Sequence, residues 1–194
     1  MSKPGKKHWI GVKRVLRYIK GTLDYGLIYK SSDTNNIILE GYSDSDWGGD
    51  LSTRKSTSGY VFKIGNCTIS WRSKRQSIVA LSSTEAEYVA LSHATQEAIW
   101  LRSLLNDMGF NQLKPTTMFE DNQGAIELAR NPSHHSHTKH IDIKFHHVRD
   151  SVTAGIISLQ YCPTENMIAD ALNFGFGSPF VKCICNHVLR WAVL

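Results

Sequence analysis

The feature that most limits what this chain can fold into is a change of hydrophobic period near residue 37. Before it, KKHWIGVKRVLRYIKG sets Trp9, Val12, Leu16 and Ile19 at helical spacing among basic residues, with Gly21 as a stop. After it, IILEGYSDSDW and SGYVFKIG alternate in steps of two, Gly65-Asn66 offers turn chemistry, and CTISWRSKRQSIVAL returns as a third strand. A helix then runs from about Thr84 until Asp107-Met108-Gly109 stops it. The strand TTMFED follows, and after it the short helix NQGAIELA, which Asn131-Pro132 breaks. A further helix carries Ile141, Phe145, Val148 and Val152 on one face, IISLQY is the last strand, and NMIADAL is expected to open a final helix. With the broken pair of helices after TTMFED counted as one helical segment, the order βββαβαβα predicts an α/β domain: a mixed five-stranded sheet flanked by helices, antiparallel first and parallel later.

Composition narrows the class. Hydrophobic residues make up 41% of 194, enough for a core, and the formal charge is +5. The basic residues cluster near the start and again at Arg72, Lys74 and Arg75, which suits a polyanionic partner. Cys67, Cys162, Cys183 and Cys185 form no Cys-x-x-Cys pair, so neither a zinc site nor a disulfide framework is expected. The N-terminal lysines precede no apolar stretch and no run approaches ~18 apolar residues, so neither a secretory signal nor a membrane span is expected.

SSTEAEYVAL holds the chemical clue. Ser82, Ser83 or Thr84 can cap the helix, with Glu85 or Glu87 completing a capping box. That suits Glu85. From Glu87, however, helical steps reach Ala90, Leu91, Ala94 and Ala98, so its carboxylate lies on the apolar stripe and needs a partner. Other acids share its setting: Asp44 and Asp46 at the end of the first strand, Asp121 at the end of TTMFE, and Asp170 early in the last predicted helix. Each alone reads as an Asx turn or a helix-start acid. If the first and fourth strands are parallel neighbours, Asp44 and Asp121 converge at their carboxyl ends and Glu87 leans in. Carboxylates gathered in this way call for hard cations, and Mg²⁺ suits them. Two such ions ~3.5–4 Å apart are the usual device for attack of water on a phosphodiester. An Asp-x-Asp phosphatase of the haloacid type wants Thr or Val where Gly48 stands, which excludes it.

GYSDSDWGGD, SWRSKRQSIVALSSTEAEYVAL, FEDNQGAIELARNP, HTKHIDIKFHHVRD and PTENMIADAL resemble, in order, the RNase H domain of copia-type retrotransposon Pol polyproteins. PGKKHWIGVKRVLRYIKGTLDYGLIY resembles the end of the preceding reverse transcriptase. The resemblance implies a reverse transcriptase remnant over 1–30, an RNase H-like domain over 37–173 and a divergent tail over 174–194. It implies an RNase H-type endonuclease whose metal site is Asp44, Glu87, Asp121 and Asp170, holding two Mg²⁺ ions that Mn²⁺ can replace. The implied substrate is the RNA strand of an RNA–DNA hybrid. Ser83, Asn122 and Gln123 are the expected polar contacts to it, with Arg72, Lys74 and Arg75 on its phosphates. The upstream reverse transcriptase of the parent polyprotein is the implied partner, and a cytoplasmic, virus-like particle the implied location.

Two departures stand out. Gln160-Tyr161-Cys162-Pro163-Thr164 offers no histidine before the fourth acid. His140 and His146 are expected to pack or to face substrate, and His134, His135 and His137 to be exposed loop residues. The family continues ADAL with Thr-Lys, whereas this chain reads Asn173-Phe174-Gly175-Phe176, which is expected to loosen the last helix. The alternative reading is therefore a degenerate, non-catalytic fragment that at most binds nucleic acid.

Overall fold

A computed structural model describes residues 4–23, 26–27, 29, 37–65, 67–131 and 139–173, with the side chains of 139–143 and 145 left out. The predicted tail, Asn66 and the histidines at 134, 135, 137 and 140 lie outside the described residues and side chains. The chain divides into two compact units. In one, α1 (Lys6–Gly21) forms with Lys20 in its last turn, and Thr22 rather than Gly21 is its C-terminal cap. Trp9, Val12, Leu16 and Ile19 line one side of it and are exposed.

The other unit spans Lys30–Asn173 and contains the sheet. Its elements are β1 (Leu39–Ser45), β2 (Thr57–Ile64), β3 (Cys67–Arg75), α2 (Ser83–Asp107), β4 (Thr116–Glu120), α3 (Gln123–Arg130), α4 (Lys139–Thr153) and β5 (Ile157–Tyr161). The sheet order is β3-β2-β1-β4-β5. β1, β2 and β3 are antiparallel, and Gly65 at φ +57 turns the β2–β3 hairpin where only a residue without Cβ is unstrained. β4 enters parallel to β1, and β5 parallel to β4. This is the mixed five-stranded α/β sheet that the change of period predicts.

α2 forms because Ser82 accepts from the Glu85 amide at 3.1 Å, while the Glu85 carboxylate accepts from the Leu81 amide at 2.7 Å. The cap is thus a box displaced by one residue, and Glu87 takes no part in it. The inward stripe of α2 buries Tyr88, Leu91, Ala94 and Ala98 against Tyr60, Phe62 and Met118 of the sheet. Burying a side chain of the size of Leu91 contributes roughly 1.5–3 kcal/mol. Small residues on this stripe allow close approach, as does Gly41 of β1, where an added Cβ would meet Met118 Sδ at 2.5 Å.

The opposite face of the sheet carries a smaller cluster of Val61, Cys162, Met167 and Ala169, with Tyr42 stacked on Phe119. Here the structure departs from expectation. NMIADAL opens no α-helix; the segment makes two 3-10 turns, Thr164–Asn166 and Asp170–Leu172. Met167 between them is extended at φ −76, ψ 96, which lets Met167 and Ala169 both press into the sheet. A continuous helix starting at Asn166 would turn Met167 and Ala169 about 200° apart, at 100° per residue, and could not bury both there.

Candidate metal site

Strand alternation decides where the acids go. Along β1, Leu39 joins the cluster under α2 while Tyr42 joins the cluster on the other face. Asp44 is the next-to-last residue of this strand, beside Gly59 of β2, and Asp121 follows the last residue of β4. Because β1 and β4 run parallel with Tyr42 opposite Phe119, the two aspartates arrive together at the carboxyl edge of the sheet. Glu87 descends on them from the start of α2. One carboxylate oxygen each from Asp44, Glu87 and Asp121 lies within 4.8 Å of the others. Asp170, in the second 3-10 turn, reaches Asp44 from the opposite face by a side-chain hydrogen bond. Asp46 turns away to accept from the Thr57 amide.

Burial first, and then Asp121 and Asp170, push the Asp44 carboxyl up to about 7. Burial likewise raises Glu87, to about 11, with Glu120, Asp44 and Asp121 adding to it in that order. Asp170 is raised by burial and by Asp121. The partners recorded for these acids are hydroxyls, amides and other acids: Thr164 Oγ1 donates to Asp121 Oδ2 at 2.6 Å, and Asn173 Nδ2 to Asp44 Oδ2 at 2.6 Å. Glu87 Oε2 is buried with no hydrogen-bond partner. An orphaned oxygen among converging hard oxygen donors fits a divalent cation such as Mg²⁺ or Mn²⁺.

Sequence reasoning did not single out Glu120. It is fully buried, accepts from Ser43 Oγ at 2.7 Å, and burial raises it well above the usual carboxylate range. The signal was present, since Thr116, Met118 and Glu120 alternate onto the buried side of β4. Where the chain leaves the family pattern after ADAL there is no helix to loosen, only the second 3-10 turn; Asn173 next to it is buried, and its amide holds Asp44.

The expected substrate contacts lie around this edge. Ser83 and Gln123 are exposed on the first turns of α2 and α3, which nearly touch: a Cβ on Gly124 would stand 3.1 Å from Thr84 Oγ1. The side-chain oxygen of Asn122 caps α3 by accepting from the Ala125 amide at 3.0 Å. The basic knot does not stay together. Arg72 and Lys74 pair across Tyr60 and Ser58, whereas Arg75, opposite Thr57, reaches over to bind Asp50 at 2.8 Å. The His146 side chain is exposed on α4.

No model of a known protein family matches the chain. Among curated proteins, it is 42% identical over 172 residues to the retrovirus-related Pol polyprotein from transposon TNT 1-94 of Nicotiana tabacum, covering 89% of this chain and 13% of that protein. It is 41% identical, over the same length, to the Pol polyprotein from transposon RE2 of Arabidopsis thaliana, of which it spans 12%. It is 56% identical over 100 residues to a protein named Secreted RxLR effector protein 161 of Plasmopara viticola, covering 52% of this chain and 69% of that one. Among solved structures, the N-terminal RNase H domain of rv2228c from Mycobacterium tuberculosis superposes with a TM-score of 0.52 at 13% identity, over 71% of this chain and 91% of that one. LC11-RNase H1, solved in complex with an RNA/DNA hybrid, superposes with a TM-score of 0.50 at 17% identity, over 69% and 92% of the two chains. The chain spans about an eighth of the length of its Pol relatives, and its mixed five-stranded sheet with flanking helices matches the RNase H fold. It belongs to the retrovirus-related Pol polyproteins of copia-type transposons, as a segment with an RNase H fold.

Proposed function

We propose that this segment is a metal-dependent RNase H-type endonuclease that hydrolyses the RNA strand of RNA–DNA hybrids inside a retrotransposon polyprotein. In this reading an upstream reverse transcriptase produces the hybrids. The observation that carries it is the meeting of Asp44, Glu87 and Asp121 within 4.8 Å around an unpartnered Glu87 oxygen. Asp44, Glu87, Asp121 and Asp170 would hold two Mg²⁺ ions, or Mn²⁺ in their place. When bound, such ions supply an ionised water near neutral pH and offset charge on the phosphodiester oxygens.

The chain's own groups do the rest. Ser83 and Gln123, on adjoining helix starts beside the acids, are positioned to meet the 2′-hydroxyls of a hybrid, whose shape rather than sequence is read. The Asn122 oxygen is committed to its helix, so its contribution is through the amide nitrogen. Arg72 and Lys74 receive phosphates at the exposed end of β3. The segment that lacks a histidine sends Thr164 to Asp121, and its hydroxyl holds that carboxylate.

The test is cleavage of an end-labelled RNA–DNA hybrid in Mg²⁺ by the wild-type chain and by Glu87→Gln. Wild-type cutting that falls to background in a folded variant is expected. A chain that binds the hybrid without cutting it would instead be the non-catalytic fragment. Undiminished cutting by the variant would remove Glu87 from the site.

A further inference from the structure

Asn173 is the last described residue of the sheet-bearing unit, and it is buried at 7% exposure. Three contacts hold it where it is. Its side-chain Nδ2 donates to Asp44 Oδ2 at 2.6 Å, across 129 residues of sequence. Its backbone amide donates to the Asp170 carbonyl at 3.1 Å, closing the turn that carries Asp170. Its neighbour Leu172 accepts from Ser73 Oγ at 2.6 Å, which ties the turn to β3.

The sheet is shaped for this arrangement. The β2 residue opposite Asp44 is Gly59, and a Cβ there would stand 2.8 Å from Asn173 Oδ1, 2.9 Å from Leu172 Cβ and 3.0 Å from the Ala169 carbonyl. The turn therefore sits in a hollow that exists because Gly59 has no side chain. One residue thus joins the first acid to the turn of the fourth, by its side chain on one side and its backbone on the other.

We infer that Asn173 is a positioning residue of the metal site: its amide fixes one oxygen of Asp44 and so aims the other at the ion. The choice of side chain follows from the chemistry. A lysine in this hollow would bring a charge that competes with the ion for Asp44. An aspartate would add one more repelling carboxylate. A carboxamide offers a neutral donor strong enough to orient the ligand and too weak to replace the metal. The second carboxamide atom, Oδ1, is buried without a hydrogen-bond partner, a cost that fits an amide placed for its nitrogen.

This inference rests on the metal-site reading above, and the test separates the two. Mn²⁺ is titrated into the metal-free full chain, and free Mn²⁺ is followed by electron paramagnetic resonance. Wild type is compared with Asn173→Ala, with the similarly branched but larger Asn173→Leu and with Asn173→Gln, and each metal-free melting midpoint is recorded as a control. Loss of the orienting amide is expected to weaken Mn²⁺ binding about 10- to 100-fold in the Ala and Leu variants, with part of the loss recovered in Gln. If both folded variants bind within about twofold of wild type while their midpoints fall, Asn173 only braces the turn and the inference is wrong. If wild type itself takes up no Mn²⁺, the site reading fails first, and the inference with it.

Discussion

Asp44 is 5% exposed and stands among Asp121 and Asp170, so the folded chain holds its proton to about pH 7, against 3.8 for the free side chain. Between those values the folded state binds more protons than the unfolded state, so raising the pH removes stability from the metal-free protein, by a few kcal/mol at most. His93 works in the opposite direction. Burial, then Lys144, Arg72 and Lys74, push it down to about 4, so its contribution grows as the pH rises towards 6.5. The clean measurement is therefore a difference. Without metal, Asp44→Asn is expected to melt higher than wild type above pH 7, and the gap should shrink steadily as the pH is lowered to 4. A gap that is constant across this range would mean that Asp44 is not strained by its neighbours. A site that weakens its own fold is what a binding site for cations looks like when examined without them.

At the scale of elements, the alternation of β3 divides what the sequence presents as one basic cluster. Arg72 and Lys74 share the face covered by α2, where His93 feels both of them, while Arg75 is taken up by Asp50. In the proposed function, phosphate contact accordingly falls to the first two. Replacing Arg72 and Lys74 together with alanine should weaken hybrid binding uniformly across sequences and reduce the slope of log affinity against log salt by about 1.5–2. Arg75→Ala should change that slope by less than half as much, and the reverse ranking in a filter-binding salt series would refute the assignment. The elements themselves were legible because period and caps are local. IILEGYSDSDW, TTMFED and IISLQY form the strands they read as, and Ser82 with Glu85 starts α2. NMIADAL was not legible, because its turns arise from burying Met167 and Ala169 together against the far face of the sheet.

Over the whole molecule, the four acids come from the end of β1, the first turns of α2, the end of β4 and the second 3-10 turn. None of these neighbours another in sequence, so the proposed site exists only when the sheet is complete, and a divalent ion held there would bind the folded chain and not the unfolded one. Mg²⁺ at about 100 times its dissociation constant should then add ~2.7 kcal/mol of stability. For a chain of this size that corresponds to a rise of roughly 5–10 °C in melting temperature. Scanning fluorimetry should find this shift with MgCl₂ at pH 7.5 and not with KCl of equal ionic strength. Glu87→Gln should lose most of it, and an unchanged shift in that variant would place the ion elsewhere.

The sequence by itself determined the five strands, the helices before the last strand, their order and the anomaly of Glu87, because helical and strand periods and capping chemistry act over a few residues. The suspicion that Asp44 and Asp121 meet was conditional on two strands becoming parallel neighbours, and only the tertiary structure placed β4 beside β1. It also decided that Glu120 lies buried behind the cluster and that Asn173 reaches Asp44. Both depend on pairings between distant segments, whose geometry is set by packing across the sheet and leaves no local pattern in the chain.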